Sequence, residues 1–381
     1  MTRVLHMIET PGTGGAERVL VDIARSLPSP FESVGAILVD GWTVQELRAT
    51  GIPCHILPLQ RSFDYGWPSR LARFIQTNRI DIVHAHEFTS AVYAAFGAAL
   101  ASVPIVSTIH GKNYWPERLY RRAALRIAIE MSAAFVAVSF DLARFVSATV
   151  PVPERKLTVV RNGIDLTKFF PDVSSAARAR AELGAAPSDV VILCVGALDP
   201  VKGQSILVDV ACGLRGRVAP FKIWIVGEGP LRSELQSRID KENLGDCVRL
   251  LGWRTDVATL LSSANLSVLP SFSEGMPLAV MESMACGTPI VASRVGGVGE
   301  LIVDGTHGLL VRAGDVQALT AAVSRLVTDH ALGSRLATAG RDRAAKEFSL
   351  TGMTDRYAEL YRAALDSAGR RSLVSAPVNQ P

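Results

Sequence analysis

The sequence predicts an α/β protein made of two doubly wound, Rossmann-like domains, each with a parallel sheet. Short, continuously apolar segments recur along the 381 residues and alternate with segments of helical pattern, which is typical of strands buried on both faces. Loops that contain glycine follow several of these segments. The alternation stops in a polar, alanine-rich stretch and restarts near residue 172, so a chain of this length is expected to hold two domains.

The strands predicted in the first half are VLHMI, VGAILV, DIVHAH, PIVSTIH, AFVAVS and LTVV, at residues 4–8, 34–39, 81–86, 104–110, 134–139 and 157–160. A glycine loop separates the first strand from a helix predicted over 16–27. The longest apolar stretch, residues 91–109, is rich in alanine and contains Gly97 and Pro104. It therefore predicts a buried helix followed by a buried strand and not a membrane span.

The strands predicted in the second half lie at residues 190–196, 221–227, 247–252, 265–270 and 289–293. The resulting organisation is two domains over 1–171 and 172–345, a helix over 346–366 that crosses back to the first domain, and a disordered tail over 367–381. Ligands of such sheets bind at the carboxyl ends of the strands. Two domains facing each other would place both edges around one cleft, which suits two substrates.

Charge and cysteine content bound the class of protein. The formal net charge of +4 is too small to indicate a nucleic-acid partner. The five cysteines form no CxxC pair, and four of them lie among apolar neighbours, as reduced cysteines of cytoplasmic proteins do. The N-terminus lacks a signal-peptide apolar region of the usual length, so we expect a cytoplasmic location.

The segment SFSEGMPLAVMESMACGTPIVAS, residues 271–293, places two carboxylates in apolar surroundings. Pro277 suits the first turn of a helix and Gly287 its end, so Glu274 lies in the loop before the helix and Glu282 more than a turn inside it. The helix is apolar nearly all round, which predicts burial. A buried carboxylate requires a partner, either a basic side chain or a ligand, and this segment alone leaves both open.

The first glycine loop, PGTGGAE, offers an anion or hydroxyl site. A dinucleotide fingerprint would need glycine at position 17, where Glu17 stands, so NAD binding is disfavoured although Asp40 is placed plausibly for a ribose contact. The sequence has no Walker A motif, so an ATPase has no support. The amides of Gly14 and Gly15 at a helix start suit a phosphate or a sugar hydroxyl, and a tight turn alone would also explain them.

Three histidines lie on consecutive predicted strands. His84 and His86 alternate along one strand, and His110 ends the next. A zinc site is conceivable, but no carboxylate or cysteine completes a clear ligand set. We therefore expect no metal, and we expect His84 and His86 to pack near the carboxyl edge of the sheet.

Several motifs occur together in an order that resembles the retaining glycosyltransferases of family 4. They are GGAE, THG at 108–110, VVRNGID at 159–165, VGALDPVKG at 195–203, and the two glutamates separated by seven residues. The resemblance covers residues 1 to about 365. It implies the GT-B fold, with an acceptor-binding first domain, a donor-binding second domain and a C-terminal helix that returns to the first domain.

The activity implied by the resemblance is transfer of a hexosyl group, with retention of anomeric configuration, in polysaccharide biosynthesis. The donor would be a nucleoside-diphosphate sugar such as a UDP- or GDP-sugar, and the acceptor a glycan or a lipid-linked glycan. No metal or other cofactor is implied. Two alternatives are a nucleotide-sugar 2-epimerase of similar fold and a donor-binding protein that has lost turnover.

The resemblance also assigns roles to the segment with the two glutamates. The position of Glu282 binds the ribose hydroxyls, and that of Glu274 contacts hydroxyls of the transferred sugar. The Gly275 and Met276 amides face the diphosphate at the helix N-terminus. A helix dipole and a carboxylate that accepts from vicinal hydroxyls make these roles physically coherent.

Three further positions follow from the resemblance. Lys202 matches a lysine that contacts the diphosphate and stabilises the leaving group. His110 matches a histidine that faces the donor sugar, where it orients the sugar or carries a proton. The family often has arginine where this chain has Ala197, and Arg161 or Arg294 would have to compensate.

A basic segment at residues 115–131, WPERLYRRAALRIAIEM, predicts contact with an anionic membrane. On a helix its arginines share one broad face, with Trp115 and Tyr120 close by. These arginines are Arg118, Arg121, Arg122 and Arg126. Such contact would put the protein at the inner face of the cell membrane as a peripheral protein, and a solvated helix over the core is the alternative.

Overall fold

The computed structural model describes residues 1–61, 63–112, 115–152 and 156–374. The chain divides into two compact units. One unit is Met1–Asn162 together with the chain from Leu350 onward, and the other is Gly163–Ser349.

The boundary between the units lies before the predicted one at 171/172. The Ile164 amide donates to the Phe348 carbonyl at 2.9 Å, and the Asp172 amide donates to Ser262 Oγ at 3.0 Å. These hydrogen bonds tie the segment after Asn162 to the second unit, although the segment has no strand or helix pattern of its own.

The first unit is built on a parallel sheet with the order β3-β2-β1-β4-β5-β6-β7. Its strands within the described residues are β1 (Thr2–Met7), β2 (Phe31–Ile37), β3 (Cys54–Ile56), β4 (Ile82–His86), β5 (Ile105–Ile109), β6 (Ala134–Ala137) and β7 (Leu157–Val159). The reversal of strand order beside β1 is the doubly wound topology. The sequence analysis missed only β3, because its three residues include two exposed ones.

The helices of the first unit cover both faces of this sheet. They are α1 (Gly15–Ser26), α2 (Trp42–Ala49), α3 (Trp67–Thr77), α4 (Phe88–Leu100), α5 (Leu119–Met131) and α6 (Phe140–Thr149). The apolar stretch at 91–109 forms α4 and β5, as predicted. Among the described residues no helix is long and apolar enough to cross a membrane.

The second unit repeats the same topology, with the strand order β10-β9-β8-β11-β12-β13. Its strands in the described part of the chain are β8 (Val190–Val195), β9 (Phe221–Val226), β10 (Val248–Gly252), β11 (Leu266–Leu269), β12 (Ile290–Ser293) and β13 (Leu309–Val311). Its helices are α7 (Val173–Glu182), α8 (Ser205–Leu214), α9 (Arg232–Lys241), α10 (Val257–Ser263), α11 (Leu278–Ala285), α12 (Val298–Leu301), α13 (Val316–Thr328) and α14 (His330–Glu347). Short β13 was not predicted.

The last helix, α15 (Leu350–Val374), belongs to the first unit. The predicted helix over 346–366 therefore corresponds to the end of α14 and most of α15, and the predicted tail begins inside α15. Residues 375–381 of that tail lie outside the described residues. Tyr357 and Tyr361 of α15 are fully buried in the first unit.

The free cysteines agree with the predicted pattern of burial. Cys54, Cys194, Cys247 and Cys286 are buried, and Cys212 is exposed. Burial raises the pKa of the Cys194 thiol to about 12, so this group stays protonated and packs as an apolar side chain.

Glycines allow the loops at the carboxyl edge of the second sheet to approach one another closely. A Cβ at Gly203 would lie 2.3 Å from the Pro270 carbonyl oxygen, and a Cβ at Gly296 only 1.8 Å from the carbonyl oxygen of Glu274. Gly203 and Gly296 both have positive φ, +67° and +47°. The Gly297 amide also donates to the Gly275 carbonyl at 3.0 Å, so segment 294–297 holds the loop before α11 in place.

We therefore expect Gly296→Ala to destabilise the second unit and Gly299→Ala to leave it nearly unchanged. A Cβ at Gly299 meets nothing within 4 Å, and its φ is not in the left-handed region. The left-handed conformation alone costs a non-glycine residue about 1–3 kcal/mol, and the clash adds to this. Urea unfolding of both variants checks the expectation. Equal unfolding midpoints for the two would contradict the close approach at Gly296.

Candidate functional site

Two of the predicted site residues lie at the carboxyl ends of neighbouring strands. Strands β8 and β11 are paired in the second sheet. Lys202 ends a short 3₁₀ turn after β8, and the Asp199 side chain caps this turn by accepting from the Val201 amide at 3.0 Å. Glu274 lies in the loop after β11. Parallel strands end at the same edge, so the topology places Lys202 and Glu274 side by side.

Lys202 and Glu274 form a bidentate ion pair. Lys202 Nζ donates to Glu274 Oε1 at 2.9 Å and to Oε2 at 2.8 Å, and Ser271 Oγ donates to Oε1 at 2.7 Å. The Glu274 side chain is 5% exposed and that of Lys202 is 30% exposed. An ion pair and a ligand site are thus compatible at Glu274, because its basic partner is itself the lysine predicted to contact the diphosphate.

Of the two kinds of partner that the sequence left open for Glu274, the structure shows a basic side chain. A carboxylate this deeply buried needs a counter-charge in the ligand-free protein as well, and Lys202 provides it. Ser271 fixes the orientation of the carboxylate, and the sequence analysis missed this role. A serine three residues before a glutamate in a loop was the available signal.

Glu282 and the start of α11 have the predicted local structure. Glu282 is 1% exposed on a helix whose other residues are also mostly buried. Pro277 is the N-cap residue, and Gly287 follows the helix with φ +68°. Gly275 and Met276 come just before this helix, whose N-terminal end carries positive partial charge. Their roles toward a donor stay predictions.

The position of the missing arginine carries no cation of its own. Ala197 is exposed, and its carbonyl oxygen accepts from Gln204 Nε2 at 2.8 Å. Arg294, one candidate for compensation, forms an ion pair with Asp304 at 2.9 Å. Arg161, the other, belongs to the first unit, where its guanidinium lies over the Phe140 ring.

The GEGP turn, residues 227–230, packs on the loop that begins at Gly196. The Leu198 amide donates to the Glu228 carbonyl at 2.9 Å. A Cβ at Gly227 would lie 2.0 Å from the Gly196 carbonyl oxygen, and one at Gly229 would lie 2.4 Å from that of Leu198. Both glycines have positive φ. The two loops therefore form one rigid layer along this edge.

In the first unit, Gly14 and Gly15 occupy the start of α1, as predicted. Gly14 is the N-cap residue, and a Cβ there would lie 2.6 Å from Glu17 Oε2. Glu17 is buried, so its carboxylate lies at the positive end of the helix. Its negative charge opposes a second anion there and favours a hydroxyl donor over a phosphate.

The predicted histidines join a buried polar network in the first unit. His84 Nε2 lies 2.8 Å from Thr108 Oγ1, and His84 Nδ1 lies 2.6 Å from the Tyr361 hydroxyl oxygen. His86 Nδ1 lies 2.9 Å from His110 Nε2. His84 and His86 are thus buried as predicted, but they make specific hydrogen bonds and do not serve only as packing.

Burial keeps these imidazoles neutral. It lowers the pKa of His110 to about 3 and the pKa values of His84 and His86 well below the usual range. The nearby histidines lower the latter two pKa values further, because each would repel a neighbouring imidazolium.

Three histidines come close enough together to raise the question of a metal. One nitrogen from each of His6, His84 and His86 lies within 4.8 Å of the others. Tetrahedral zinc would bring such nitrogens to about 3.3 Å, and both nitrogens of His84 already have hydrogen-bond partners. The group could hold a metal only after rearrangement, and the expected absence of a metal stays a prediction.

A cavity of about 360 Å³ opens in the first unit near the ends of β1 and β2. It is lined by the polar residues Glu9, Asp40 and Thr89 and by apolar residues that include Leu38 and Ile56. Such a lining suits a ligand with hydroxyl groups and an apolar face.

Family models match both units of the chain. The model described as Glycosyltransferase Family 4 matches residues 13–168, and the model described as Glycosyl transferases group 1 matches residues 189–329. The chain is 31% identical over 296 residues to a glycogen synthase of Mycobacterium tuberculosis, covering 75% of this chain and 69% of the relative.

A second relative aligns over nearly its whole length. It is the UDP-Gal:alpha-D-GlcNAc-diphosphoundecaprenol alpha-1,3-galactosyltransferase of Escherichia coli. The chain is 25% identical to it over 375 residues, with 94% of this chain and 96% of the relative covered.

Solved structures of similar fold include HepE of Anabaena in complex with UDP-glucose and WaaG, a glycosyltransferase involved in lipopolysaccharide biosynthesis. The TM-scores are 0.85 for HepE and 0.75 for WaaG. HepE is 23% identical, with 95% of this chain and 100% of that chain covered; WaaG is 14% identical, with 94% and 99% covered. These likenesses confirm the predicted GT-B fold. The family models and the curated relatives show that the chain belongs to glycosyltransferase family 4 and uses a nucleotide-sugar donor.

Proposed function

We propose that the protein transfers a hexosyl group from a UDP-sugar to a lipid-linked glycan acceptor, with retention of anomeric configuration. The observation that carries this proposal is the Lys202–Glu274 ion pair, which lies after two adjacent strands and beside the start of α11. The nucleotide is proposed from HepE, which binds UDP-glucose, and from the E. coli relative, which is named for UDP-galactose. The comparisons do not favour the epimerase or the non-catalytic alternative.

Donor binding exchanges the partners of this ion pair. Lys202 Nζ turns from the Glu274 carboxylate to the diphosphate, where it stabilises the charge that develops as the glycosidic bond breaks. Glu274 then accepts hydrogen bonds from hydroxyls of the transferred sugar. The Gly275 and Met276 amides donate to the diphosphate at the positive end of α11, and Glu282 accepts from the ribose hydroxyls.

Retention is proposed without an enzymatic nucleophile. With donor bound, the Glu274 carboxylate accepts from Ser271 and from hydroxyls of the transferred sugar, and a carboxylate so engaged is a poor nucleophile. We infer that the acceptor hydroxyl attacks the face from which the diphosphate leaves. NMR determination of the anomeric configuration of the product tests this part of the proposal.

The acceptor is proposed to bind the first unit. The cavity of the first unit is lined by Glu9 and Asp40 together with apolar residues. The E. coli relative is named for a diphosphoundecaprenol-linked acceptor. Helix α5 adds a surface suited to the interface where such an acceptor resides.

The exposed face of α5 mixes apolar and basic side chains. Leu119 is 80% exposed and Ile127 is 46% exposed, and Arg118 and Arg126 are exposed beside them. Leu125 of the same helix is fully buried. Exposed leucine and isoleucine among arginines suit a helix that lies in an anionic lipid interface.

The structure changes which arginines of residues 115–131 are expected to contact the membrane. Arg122 Nε donates to the Pro116 carbonyl at 2.6 Å, and the Arg121 guanidinium lies over the Tyr120 ring. Both are partly buried, so the exposed face has two of the four predicted arginines. The side chain of Trp115 lies outside the described residues.

Alanine substitutions of the two glutamates should have different effects. Glu282→Ala is expected to weaken UDP binding with little change in kcat, and Glu274→Ala is expected to lower kcat. Loss of hydrogen bonds to a charged group costs about 1.5–3 kcal/mol, or roughly ten- to 150-fold. The measurement is a thermal-shift panel of UDP, GDP, ADP and their sugars, combined with steady-state kinetics.

Exposed Glu234 supplies the control variant Glu234→Ala. In the wild type, a nucleotide at 100-fold its Kd should stabilise the protein by about 2.7 kcal/mol. If both site variants instead lose stability equally with and without ligand, the glutamates are structural and the proposed donor contacts are wrong.

Removal of the Lys202 side chain should affect both turnover and nucleotide binding. Lys202→Ala should lower kcat and weaken UDP binding at least about tenfold more than UMP binding, because UMP lacks the second phosphate of the diphosphate that Lys202 is proposed to contact. Ala197→Arg should tighten UDP binding by supplying the second cation. Calorimetric titration with UDP and UMP checks both.

Loss of stability is separated from loss of function by a double variant. Lys202→Ala leaves a buried carboxylate without its counter-charge, which is costly. Lys202→Ala with Glu274→Gln removes both charges and should recover stability while activity stays low. Wild-type kinetics for Lys202→Ala would overturn the assignment.

Reversal of the charges on the exposed face of α5 should weaken binding to anionic membranes. The wild type should co-sediment with anionic vesicles at low salt, and Arg118→Glu with Arg126→Glu should weaken binding at least about thirtyfold, since each basic residue adds about 1 kcal/mol. Exposed Arg73 and Arg217 provide a control double reversal of equal charge change. Absence of binding to anionic vesicles at low salt would refute the membrane contact.

A further inference from the structure

The cavity of the first unit lies where doubly wound sheets bind their ligands. Such sheets bind beyond the carboxyl ends of the strands, at the point where the strand order reverses, and here the order reverses beside β1. The cavity is lined by residues that follow β1 and β2, by the end of β3 and by Thr89, the second residue of α4. Its volume of about 360 Å³ lies near the lower end of the range for small-molecule sites, about 300–1,000 Å³. Its place and its size suit a single sugar residue.

The backbone is strained directly beside this cavity. Glu87, the N-cap residue of α4, has φ +68° and ψ 171°, a region that is open almost only to glycine. Strain of this kind is concentrated at ligand sites, where the surrounding structure maintains it. Because Glu87 immediately precedes the first turn of α4, its conformation sets where that helix begins and so places Thr89 at the cavity.

Hydrogen bonds hold the cavity wall that follows β3. The Arg70 guanidinium donates to the Pro58 carbonyl at 3.2 Å and to the Asp64 carboxylate at 2.7 Å. The same carboxylate accepts from the Gln60 amide at 2.9 Å. These bonds bracket Leu59, which lines the cavity together with Pro58. The wall is therefore in place before a ligand binds, which lowers the ordering cost of binding.

The charge at the cavity is negative. Glu9 and Asp40 line it, and none of the lining residues that the structure describes is basic. The start of α4 contributes only about half a positive charge, which two carboxylates outweigh. A ligand that brings an acidic group into the cavity is therefore disfavoured.

Asp40 is the lining residue whose carboxylate is available to a ligand. It is exposed, and its side chain forms no hydrogen bond or ion pair with the residues that the structure describes. Asp64, by contrast, is buried and engaged by Arg70 through both carboxylate oxygens. The loop that carries Asp40 packs closely on the loop after β1, since a Cβ at Gly41 would lie 2.6 Å from Pro11 Cβ. The chain thus presents an acceptor at the cavity without supplying a donor for it.

The position of Asp40 in the fold is that of a residue that binds hydroxyls. Sheets of this topology that bind dinucleotides carry an acid after the glycine loop, and it accepts from ribose hydroxyls. Asp40 follows β2 in that position, but buried Glu17 at the start of α1 opposes the phosphate that would accompany a ribose. What remains is recognition of hydroxyls without recognition of phosphate, as a sugar without acidic groups requires.

We propose that this cavity binds the terminal sugar of the acceptor and selects sugars without acidic groups, with Asp40 as the residue that determines this specificity. The inference rests on the proposed function, which assigns the acceptor to the first unit. The Asp40 carboxylate accepts charge-assisted hydrogen bonds from ring hydroxyls, and the exposed apolar side chains of Val39 and Ile56 pack on the C–H face of the ring. A uronic acid is repelled. The phosphates that join a glycan to a lipid carrier lie outside the cavity.

The direct test is the binding of matched pairs of methyl glycosides to the wild-type protein. Ligand-observed NMR titration compares methyl glucoside with methyl glucuronide, and methyl galactoside with methyl galacturonide, so that each pair differs only in the carboxylate at C6. In at least one pair the uncharged member should bind roughly tenfold more tightly, because like charges repel, and the preference should shrink at high salt. Equal or tighter binding of the acids, or no binding by any glycoside, would overturn the proposal.

Substitutions of Asp40 assign the preference to the cavity. Asp40→Asn keeps the shape and removes the charge, so it should reduce the preference at least about threefold, and Asp40→Lys should reverse it in favour of the acid. Asp355 of α15 is exposed in the same unit and supplies the control Asp355→Asn, which should keep the wild-type preference. A preference that is unchanged in both Asp40 variants would overturn the role of this residue.

Failure of this inference and failure of the proposed function give different results. The glycoside titrations need no turnover, so absence of transfer by the wild type with every donor of the panel would refute the proposed function alone. Transfer by the wild type together with an unchanged preference in both Asp40 variants would refute this inference alone. Asp40→Asn should also keep the wild-type Kd for UDP. A weakened affinity for UDP would assign Asp40 to the donor and overturn the acceptor subsite.

Discussion

The ion pair between Lys202 and Glu274 is the interaction on which the second unit's site depends. It exists because β8 and β11 are neighbours and end at the same edge, although the two residues are far apart in the sequence. Glu274 is nearly fully buried, but Lys202 is 30% exposed, so water screens part of the attraction. The pair therefore links the loops after β8 and β11, and the partly exposed Lys202 is the partner that the proposed function moves to the diphosphate.

The loops around this pair are held by backbone approach more than by side chains. Gly203 and Gly296 let two loops pack directly on the backbone of Pro270 and Glu274, at distances that exclude any Cβ. Such contacts leave little freedom to the chain on either side. The carboxylate and the amides before α11 are thereby placed before a ligand arrives, which lowers the ordering cost of binding.

How well each feature of the fold and the site could be predicted depends on how far apart in the sequence the interacting residues lie. Continuous apolar strands and the helix around Glu282 are local patterns, and their predicted ends lie within three residues of the observed ones. Strands β3 and β13 were missed because three residues carry too little pattern. Lys202 and Glu274 were each predicted as site residues, but their contact depends on strand order, which no local pattern encodes. The boundary at Asn162 depends on hydrogen bonds to residues near 262 and 348, which lie even farther away in the sequence.

The two units use buried polar groups in opposite ways. In the second unit a charged pair joins a buried glutamate to a partly exposed lysine. In the first unit the buried cluster consists of neutral imidazoles and phenols, because burial lowers the pKa values of the histidines and raises those of Tyr357 and Tyr361. Burying a neutral hydrogen-bonded network in a core costs much less free energy than burying an isolated charge. Helix α15 thus does more than cover the sheet, since its tyrosines supply the hydroxyls that let polar rings occupy the core behind His110. The second unit thus keeps its charged pair where one partner meets water, and the first unit keeps neutral hydrogen-bonded groups in its core.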